Sequence, residues 1–160
     1  MAILSVREGL SFESPILSDT QSVNHLVVRL LDAFGDKIRF LRDPTRGGVA
    51  TVLNEISQKS GAGIRLQERD LPVDEAVEGA CELLGLDPLY VANEGIFIAV
   101  VAPDIADAAL AMMQGDPKGQ GAARIGEVVD NHPGQVVIKS LIGGSRVVHM
   151  LPGEQLPRIC

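Results

Sequence analysis

Aromatic residues are scarce in this chain. Its 160 residues include no Trp, one Tyr and four Phe, so aromatics make up only 3%. Proteins that stack the bases of single-stranded nucleic acid depend on such side chains, and their scarcity argues against that function. The core must instead be aliphatic, and hydrophobic residues are plentiful at 46%.

Basic residues are outnumbered by acidic ones. The chain has 14 Lys and Arg against 21 Asp and Glu, a formal net charge of −7, and the basic residues are scattered rather than gathered in a stripe. Nucleic-acid phosphates would be repelled by such a surface, so we expect no nucleic-acid partner. With 22% charged residues, the composition is that of one globular domain.

Long apolar runs and a disulfide framework are also missing. No stretch approaches the roughly 20 apolar residues of a membrane span, and residues 1–8 are charged too early to form a signal peptide. The two cysteines, Cys81 and Cys160, are too few for a disulfide scaffold. We therefore expect a cytoplasmic protein without a membrane partner. Residues 1–10 resemble the continuation of an uncapped helix, which predicts a chain cut from something longer.

Helix and strand patterns alternate along the chain. Apolar spacing predicts helices from Ser22 to a stop at Gly35, and over 48–60, 71–84 and 104–114. Strands are predicted over 37–42, 63–68, 97–102 and 124–129, with a hairpin over 135–150 that turns at Gly143 and Gly144. This order predicts an α/β (α+β) fold with a mixed β-sheet covered by helices.

Residues 152–160 have a different character. They show no periodicity, and Pro152 and Pro157 discourage both helix and central strand, which predicts an extended, flexible tail ending at Cys160. A cysteine there has no packing role, and accessible thiols in electropositive surroundings, here beside Arg158, are reactive. The alternative is a chance residue at a frayed end.

A glycine-rich turn separates a predicted strand from a predicted helix. It reads Asp43-Pro44-Thr45-Arg46-Gly47-Gly48. Such a junction can bind an anion, because the free N–H groups of the first helical turn point outward and glycines let a phosphate approach. Arg46 would add a forked cationic donor. In the simpler alternative, Asp43 or Thr45 caps the helix and the glycines only permit the turn.

A second candidate is Glu94, in the run Ala92-Asn93-Glu94-Gly95 before an apolar strand. A carboxylate beside a buried strand can lose hydration and act as a general base, or it can lie in a turn, in water. Cys81 is predicted to be a core residue. His132, in a turn, and His149, in a strand, lack a second ligand at metal spacing, so no metal site is predicted.

Three motifs resemble a known family when they are taken together. They are the turn 43–49, the run 92–95 and the ending Pro157-Arg158-Ile159-Cys160, and the family is that of the HypE proteins, the carbamoyl dehydratases of NiFe-hydrogenase maturation. The resemblance runs from about Leu10 to Cys160 and places the chain in the AIR synthetase-like (PurM) superfamily. Members carry an N-terminal half that binds most of the ATP and Mg²⁺ and forms the homodimer. The resemblance thus implies an interdomain remnant (1–12), an AIR synthetase-like C-terminal domain (13–151) and a tail (152–160).

The resemblance also implies a function. A carbamoyltransferase, HypF, places a carbamoyl group on the thiol of Cys160, and the enzyme uses ATP to dehydrate it to a thiocyanate. The cyano group then passes to the iron held by the HypC–HypD complex. Glu94 is the implied base, and the turn 43–48 faces the phosphates or the tail, with Arg46 balancing negative charge. The isolated chain is expected to be inactive, because most of the nucleotide pocket lies in the N-terminal half.

Two other functions stay open. The chain could be the C-terminal half of another ATP-dependent enzyme, an AIR synthetase or a selenophosphate synthetase, although these are not expected to end in Pro-Arg-Ile-Cys. It could also be a non-catalytic binding module whose terminal thiol attaches a partner or a metal.

Overall fold

The computed structural model of the chain describes Ala2 and residues 16–150. Within this part there are four α-helices, which are α1 (Asn24–Phe34), α2 (Gly48–Ser60), α3 (Glu75–Leu84) and α4 (Ala106–Gln114). The same part contains six strands, which are β1 (Ile38–Arg42), β2 (Gly63–Gln67), β3 (Ile98–Val101), β4 (Gly126–Val129), β5 (Val136–Lys139) and β6 (Ser145–Val148). Short 3₁₀ turns occur at Gly35–Lys37, Glu68–Asp70, Pro88–Tyr90 and Pro103–Ile105.

The strands form two sheets. One has four strands in the order β4-β2-β5-β6, in which β2 and β5 are parallel and the other pairs antiparallel. The mixed sheet and the β5–β6 hairpin, whose connection contains Gly143 and Gly144, confirm the predictions. Among the described residues, the other sheet has two strands, β1 and β3, which pair antiparallel. The sequence pattern did not indicate this separation, because alternation identifies a strand but not its partner.

Local signals set the helix boundaries. Helix α2 has the predicted bounds, and Gly61, with a φ of 72°, follows its last residue. Helix α3 begins at Glu75, later than predicted, because the Asp74 side chain accepts the Ala76 N–H at 2.9 Å and caps the helix there. Helix α4 begins at Ala106 rather than at 104, because Pro103–Ile105 forms a 3₁₀ turn.

Two aliphatic clusters form the core. The larger packs α2 against the four-stranded sheet and includes Ala50, Val52, Leu53, Ile64, Leu66, Leu89, Ile98, Val136, Ile138 and Val148. The smaller joins α1 to α4 and contains Leu30, Ala102, Ile105 and Ala109. The expectation of an aliphatic core is confirmed.

Two buried polar residues fix the position of α2. The Asn54 amide donates to the carbonyl oxygens of Ala50, at 2.9 Å, and of Val148 in β6, at 3.0 Å. The Ser57 hydroxyl donates to the Ala62 carbonyl at 2.6 Å. Buried polar groups with satisfied hydrogen bonds stabilise one arrangement, so α2 and the turn before it are held at a defined place beside the sheet.

Candidate active site

The turn between β1 and α2 depends on two adjacent glycines. Gly47 and Gly48 both have a φ of 63°, in the left-handed region that residues with a Cβ rarely adopt. A Cβ on Gly48 would lie 2.4 Å from the carbonyl oxygen of Leu89 and 2.7 Å from that of Val91. The turn therefore packs directly on the backbone of residues 89–91, where only glycine fits.

The N-terminus of α2 has no side-chain cap among the residues that the structure describes. Gly47 is its N-cap residue, and no cap hydrogen bond is formed there. The alternative in which Asp43 or Thr45 caps the helix is therefore wrong. Uncapped N–H groups carry the positive end of the helix dipole and favour an anion, and the Arg46 side chain nearby in sequence is exposed. That the turn faces phosphate stays a prediction.

Strand pairing brings the turn and the Glu94 region together. In the antiparallel β1–β3 pair, Arg42 at the end of β1 lies opposite Ile98 at the start of β3. Residues that follow Arg42 must therefore lie near those that precede Ile98. Accordingly, the Asn93 N–H donates to the Pro44 carbonyl at 3.1 Å. Two motifs separated by about fifty residues thus share one backbone hydrogen bond.

A third segment holds the residues Asn93–Gly95, which we call the Glu94 loop. One carboxylate oxygen of Asp19, Oδ2, accepts the Glu94 N–H at 3.0 Å and the Asn93 side-chain amide at 3.1 Å. The Gln21 amide donates to the Gly95 carbonyl at 3.1 Å. A Cβ on Gly95 would lie 1.6 Å from the Asp19 carbonyl oxygen. The segment around Asp19 therefore packs tightly across the loop.

Sequence reasoning missed Asp19 and Gln21. In the sequence Ser18-Asp19-Thr20, an isolated Asp between two hydroxyl residues is typical of a local turn. The partner of Asp19 lies 75 residues away. The only available signal was the choice of a short acceptor side chain in a loop, which does not identify a distant donor.

A cavity of about 740 Å³ lies beside the Glu94 loop. Its lining is mostly aliphatic, with residues such as Val49 and Leu71, and its acidic residues are Asp19, Asp74 and Glu94. A carboxylate at the wall of an apolar cavity suits proton removal from a bound group. The residues predicted to face phosphate do not line this cavity; they are Asp43, Thr45, Arg46, Gly47 and Gly48.

An ionic cluster fixes one wall of the cavity. Lys118 lines the cavity, and its ammonium group donates to the Ser22 carbonyl at 3.1 Å. The Lys118 N–H donates to the Asp116 carboxylate at 3.0 Å, and His25 and Arg29 of α1 each contact that carboxylate at 3.2 Å. These partners, the Lys118 N–H first, hold the pKa of Asp116 below its ordinary value. The cluster ties the loop after α4 to α1.

The remaining predicted site residues divide into two groups. Cys160 and the tail residues Pro157, Arg158 and Ile159 lie outside the described residues. Cys81 is 1% exposed, and burial raises the pKa of its thiol. Its predicted place in the core is confirmed.

The described part of the chain contains neither a metal-binding cluster nor a membrane-spanning helix. Across Ala2 and 16–150, no three His, Cys, Asp or Glu side chains are grouped so that they could hold a metal ion. His132 lies in a turn with a φ of 45°, and His149 follows β6. No helix in these ranges combines the length and the hydropathy needed to cross a membrane.

Comparison with known proteins identifies similar chains. The family model of the AIR synthase related protein, C-terminal domain, matches residues 1–139. The carbamoyl dehydratase HypE of Bradyrhizobium diazoefficiens is 52% identical over 160 residues, which are all of this chain and 46% of that protein. The carbamoyl dehydratase HypE of Cupriavidus necator is 54% identical over 160 residues and is covered to 45%. The chain thus spans less than half the length of these curated relatives.

Solved structures share the fold. A crystal structure of hydrogenase maturation protein HypE in complex with ATP matches with a TM-score of 0.91 and 48% identity, over 99% of this chain and 48% of that one. A crystal structure of a HypE–HypF complex matches with a TM-score of 0.87 and 47% identity, over 92% of this chain and 47% of that one. The described fold is therefore that of one half of these proteins.

Proposed function

The chain belongs to the AIR synthase related proteins, whose C-terminal domain its residues 1–139 match, and from this premise we propose that it forms the C-terminal half of a carbamoyl dehydratase of the HypE type. Under this proposal residues 1–12 are an interdomain remnant, residues 13–151 the domain and residues 152–160 a tail that carries the reacting thiol of Cys160. Identity of more than 50% to two carbamoyl dehydratases along the whole chain supports it.

The proposed reaction converts a thiocarbamate on Cys160 into a thiocyanate. The protein-bound S–C(=O)–NH₂ group and ATP give S–C≡N, ADP and inorganic phosphate. The carbonyl oxygen leaves with the γ-phosphate, and both N–H protons leave as the carbon–nitrogen triple bond forms. Hydroxide is a poor leaving group, and phosphorylation turns the oxygen into a good one. The protein must therefore supply a base for the nitrogen and positive charge for the phosphate.

Glu94 takes the role of the base. One observation carries this proposal: Glu94 lines an apolar cavity, and the backbone of its loop is fixed by Pro44 on one side and by Asp19 on the other. A general base has to lie within hydrogen-bonding reach of the proton that it removes. A loop held from two sides can present a carboxylate in one position, which satisfies this requirement.

The turn 43–48 takes the role of a phosphate-facing element. It fits an anion, because α2 begins there without a side-chain cap. Arg46 would add positive charge where negative charge develops. When bound, ATP supplies the phosphoryl group. We assign most of the binding of ATP and Mg²⁺ to the N-terminal half of the full-length protein. The solved ATP complex of a similar HypE supports ATP as the nucleotide.

The tail gives one thiol access to several partners. We assign the carbamoylation of Cys160 to HypF, and the solved HypE–HypF complex of a similar chain supports HypF as a partner. The HypC–HypD complex then receives the cyano group on its iron. Under this proposal the tail residues Pro157, Arg158 and Ile159 precede the thiol that each partner must reach. A reducing cytoplasm, which keeps thiols free, is the compartment that this chemistry needs.

Mass spectrometry of Cys160 tests the proposal. The full-length protein that carries this chain is incubated with the carbamoyltransferase and carbamoyl phosphate. The mass of the tail peptide is then measured before and after addition of ATP. We expect a gain of one carbamoyl group, followed by the loss of one water. Glu94→Gln should accumulate the carbamoyl form, and Cys160→Ala should show neither change.

Two results would contradict the proposal. Water loss at an undiminished rate in Glu94→Gln would remove the role of Glu94. Full formation of the thiocyanate, or of an equivalent cyanide donor, by Cys160→Ala would remove the role of the terminal thiol.

A further inference from the structure

We propose that Asp19 is a positioning residue for the dehydration step, acting by holding the Glu94 loop in its reactive place. The inference rests on the proposed function for its catalytic consequence. The structural part of the inference, that Asp19 holds the Glu94 loop, can be tested without any enzymatic activity.

The contacts of Asp19 are concentrated on the loop. A single oxygen, Oδ2, accepts both the Glu94 N–H, at 3.0 Å, and the Asn93 amide, at 3.1 Å. Hydrogen bonds to a carboxylate are stronger than those between neutral groups. The charge of Asp19 therefore acts on the main chain of the very residue that is assigned as the base.

The neighbouring residues reinforce this hold. Gln21 donates to the Gly95 carbonyl at 3.1 Å, so one short segment contacts three consecutive loop residues. Gly95 permits the contact, because a Cβ there would lie 1.6 Å from the Asp19 carbonyl oxygen and 2.7 Å from its carbonyl carbon. Gly95 is not among the glycines with positive φ. The tight approach alone excludes a larger residue here.

The consequence for catalysis follows from geometry. On its other side the loop is held by the Asn93 N–H to Pro44. Without Asp19, the loop keeps this link and loses the bond at Glu94 itself. Misplacement of a catalytic group by about 1 Å can lower a rate by up to about 100-fold. We therefore expect Asp19→Ala to slow dehydration by roughly 10- to 100-fold, while the ATP concentration that gives half-maximal rate stays unchanged.

The experiment combines a kinetic and a structural measurement. Single-turnover loss of water from carbamoylated Cys160 is followed by mass spectrometry for Asp19→Ala and Asp19→Asn in the full-length protein. An Asn side-chain oxygen can still accept both hydrogen bonds, so Asp19→Asn should stay within a few-fold of the unaltered rate. Amide hydrogen exchange of Glu94 is measured in parallel and should be faster in Asp19→Ala and close to unaltered in Asp19→Asn.

Glu68 offers a matched control. Its carboxylate accepts the Leu141 N–H at 2.8 Å across 73 residues, the same kind of bond as that from Asp19 to Glu94 across 75. Glu68 does not line the cavity. Glu68→Ala should therefore remove the hydrogen bond to Leu141 in the β5–β6 hairpin without slowing dehydration. Gly95→Ala provides a second perturbation and should speed Glu94 exchange in the same way as Asp19→Ala.

The outcomes separate the two proposals. Unchanged Glu94 exchange in Asp19→Ala would overturn the inference even if the full-length protein makes no thiocyanate. Faster exchange with an unchanged dehydration rate, or an equal slowing in Glu68→Ala, would overturn it while leaving the proposed function intact. The inference is supported if Asp19→Ala exchanges the Glu94 amide faster and dehydrates more slowly, while Asp19→Asn and Glu68→Ala keep nearly the unaltered dehydration rate.

Discussion

Replacement of Gly48 by alanine tests the close approach on which the site geometry depends. The added Cβ would lie 2.4 Å from the Leu89 oxygen, 2.7 Å from the Val91 oxygen and 2.8 Å from the Tyr90 carbonyl carbon. All three are backbone atoms, so no side-chain rotation can relieve the contact. Gly48 also has a φ of 63°, which costs a residue with a Cβ about 1–2 kcal/mol.

The expected loss of stability is the sum of two terms. Overpacking in a well-packed region costs about 1–3 kcal/mol, and together with the backbone term this gives a loss of about 2–5 kcal/mol. Natural domains have about 5–15 kcal/mol of unfolding free energy in total. Gly48→Ala should therefore remove a large part of the stability, measured by equilibrium urea unfolding followed by circular dichroism.

The other end of the same helix provides the control. Gly61 has a φ of 72°, but an added Cβ there would meet nothing within 4 Å. Gly61→Ala should therefore lose only the backbone term, about 1–2 kcal/mol. It should also leave the exchange of the Asn93 amide unchanged, whereas Gly48→Ala should accelerate that exchange. Equal losses of stability in the two variants would refute the argument that the turn packs on residues 89–91.

Two further predictions concern titratable groups. The pKa of Asp116 is lowered on folding from its ordinary 3.8, so its contribution to stability is present above that value and disappears as the pH falls through the folded pKa. When the pH falls from about 5 to 2, Asp116→Asn should consequently lose less stability than the unaltered chain. Urea unfolding at each pH measures this, and equal losses in the two proteins would contradict it. Because burial raises the pKa of the Cys81 thiol, iodoacetamide should label Cys81 in Cys160→Ala only when urea unfolds the chain; fast labelling of the native protein, seen by mass spectrometry, would contradict its place in the core.

Elements defined by neighbours in sequence were predictable. The apolar spacing of 48–60 located α2, and Gly35 located the end of α1, because a positive φ after a helix is a local event. The turn 43–48 was recognised for the same reason. Two helices begin later than predicted, because the Asp74 side chain caps α3 and a 3₁₀ turn that starts at Pro103 precedes α4.

Relations between distant residues were not predictable. The sequence of β1 alternates polar and apolar residues, and this pattern does not indicate that β3 is its partner. The link from Pro44 to Asn93 depends on that register, and the bond from Asp19 to Glu94 joins residues 75 positions apart. Each of these links is a single hydrogen bond between distant residues, and no periodic sequence pattern marks it. The turn 43–48 and the Glu94 loop were recognised as motifs, whereas the hydrogen bond between them appeared only in the fold.

The fate of the carbamoyl oxygen is the most direct test of the proposed chemistry. The full-length protein is carbamoylated on Cys160 with a group whose oxygen carries the heavy isotope, and ATP is added for a single turnover. If the γ-phosphate activates this oxygen, the label is recovered in inorganic phosphate. Recovery of the label in water, with unlabelled phosphate, would contradict the account.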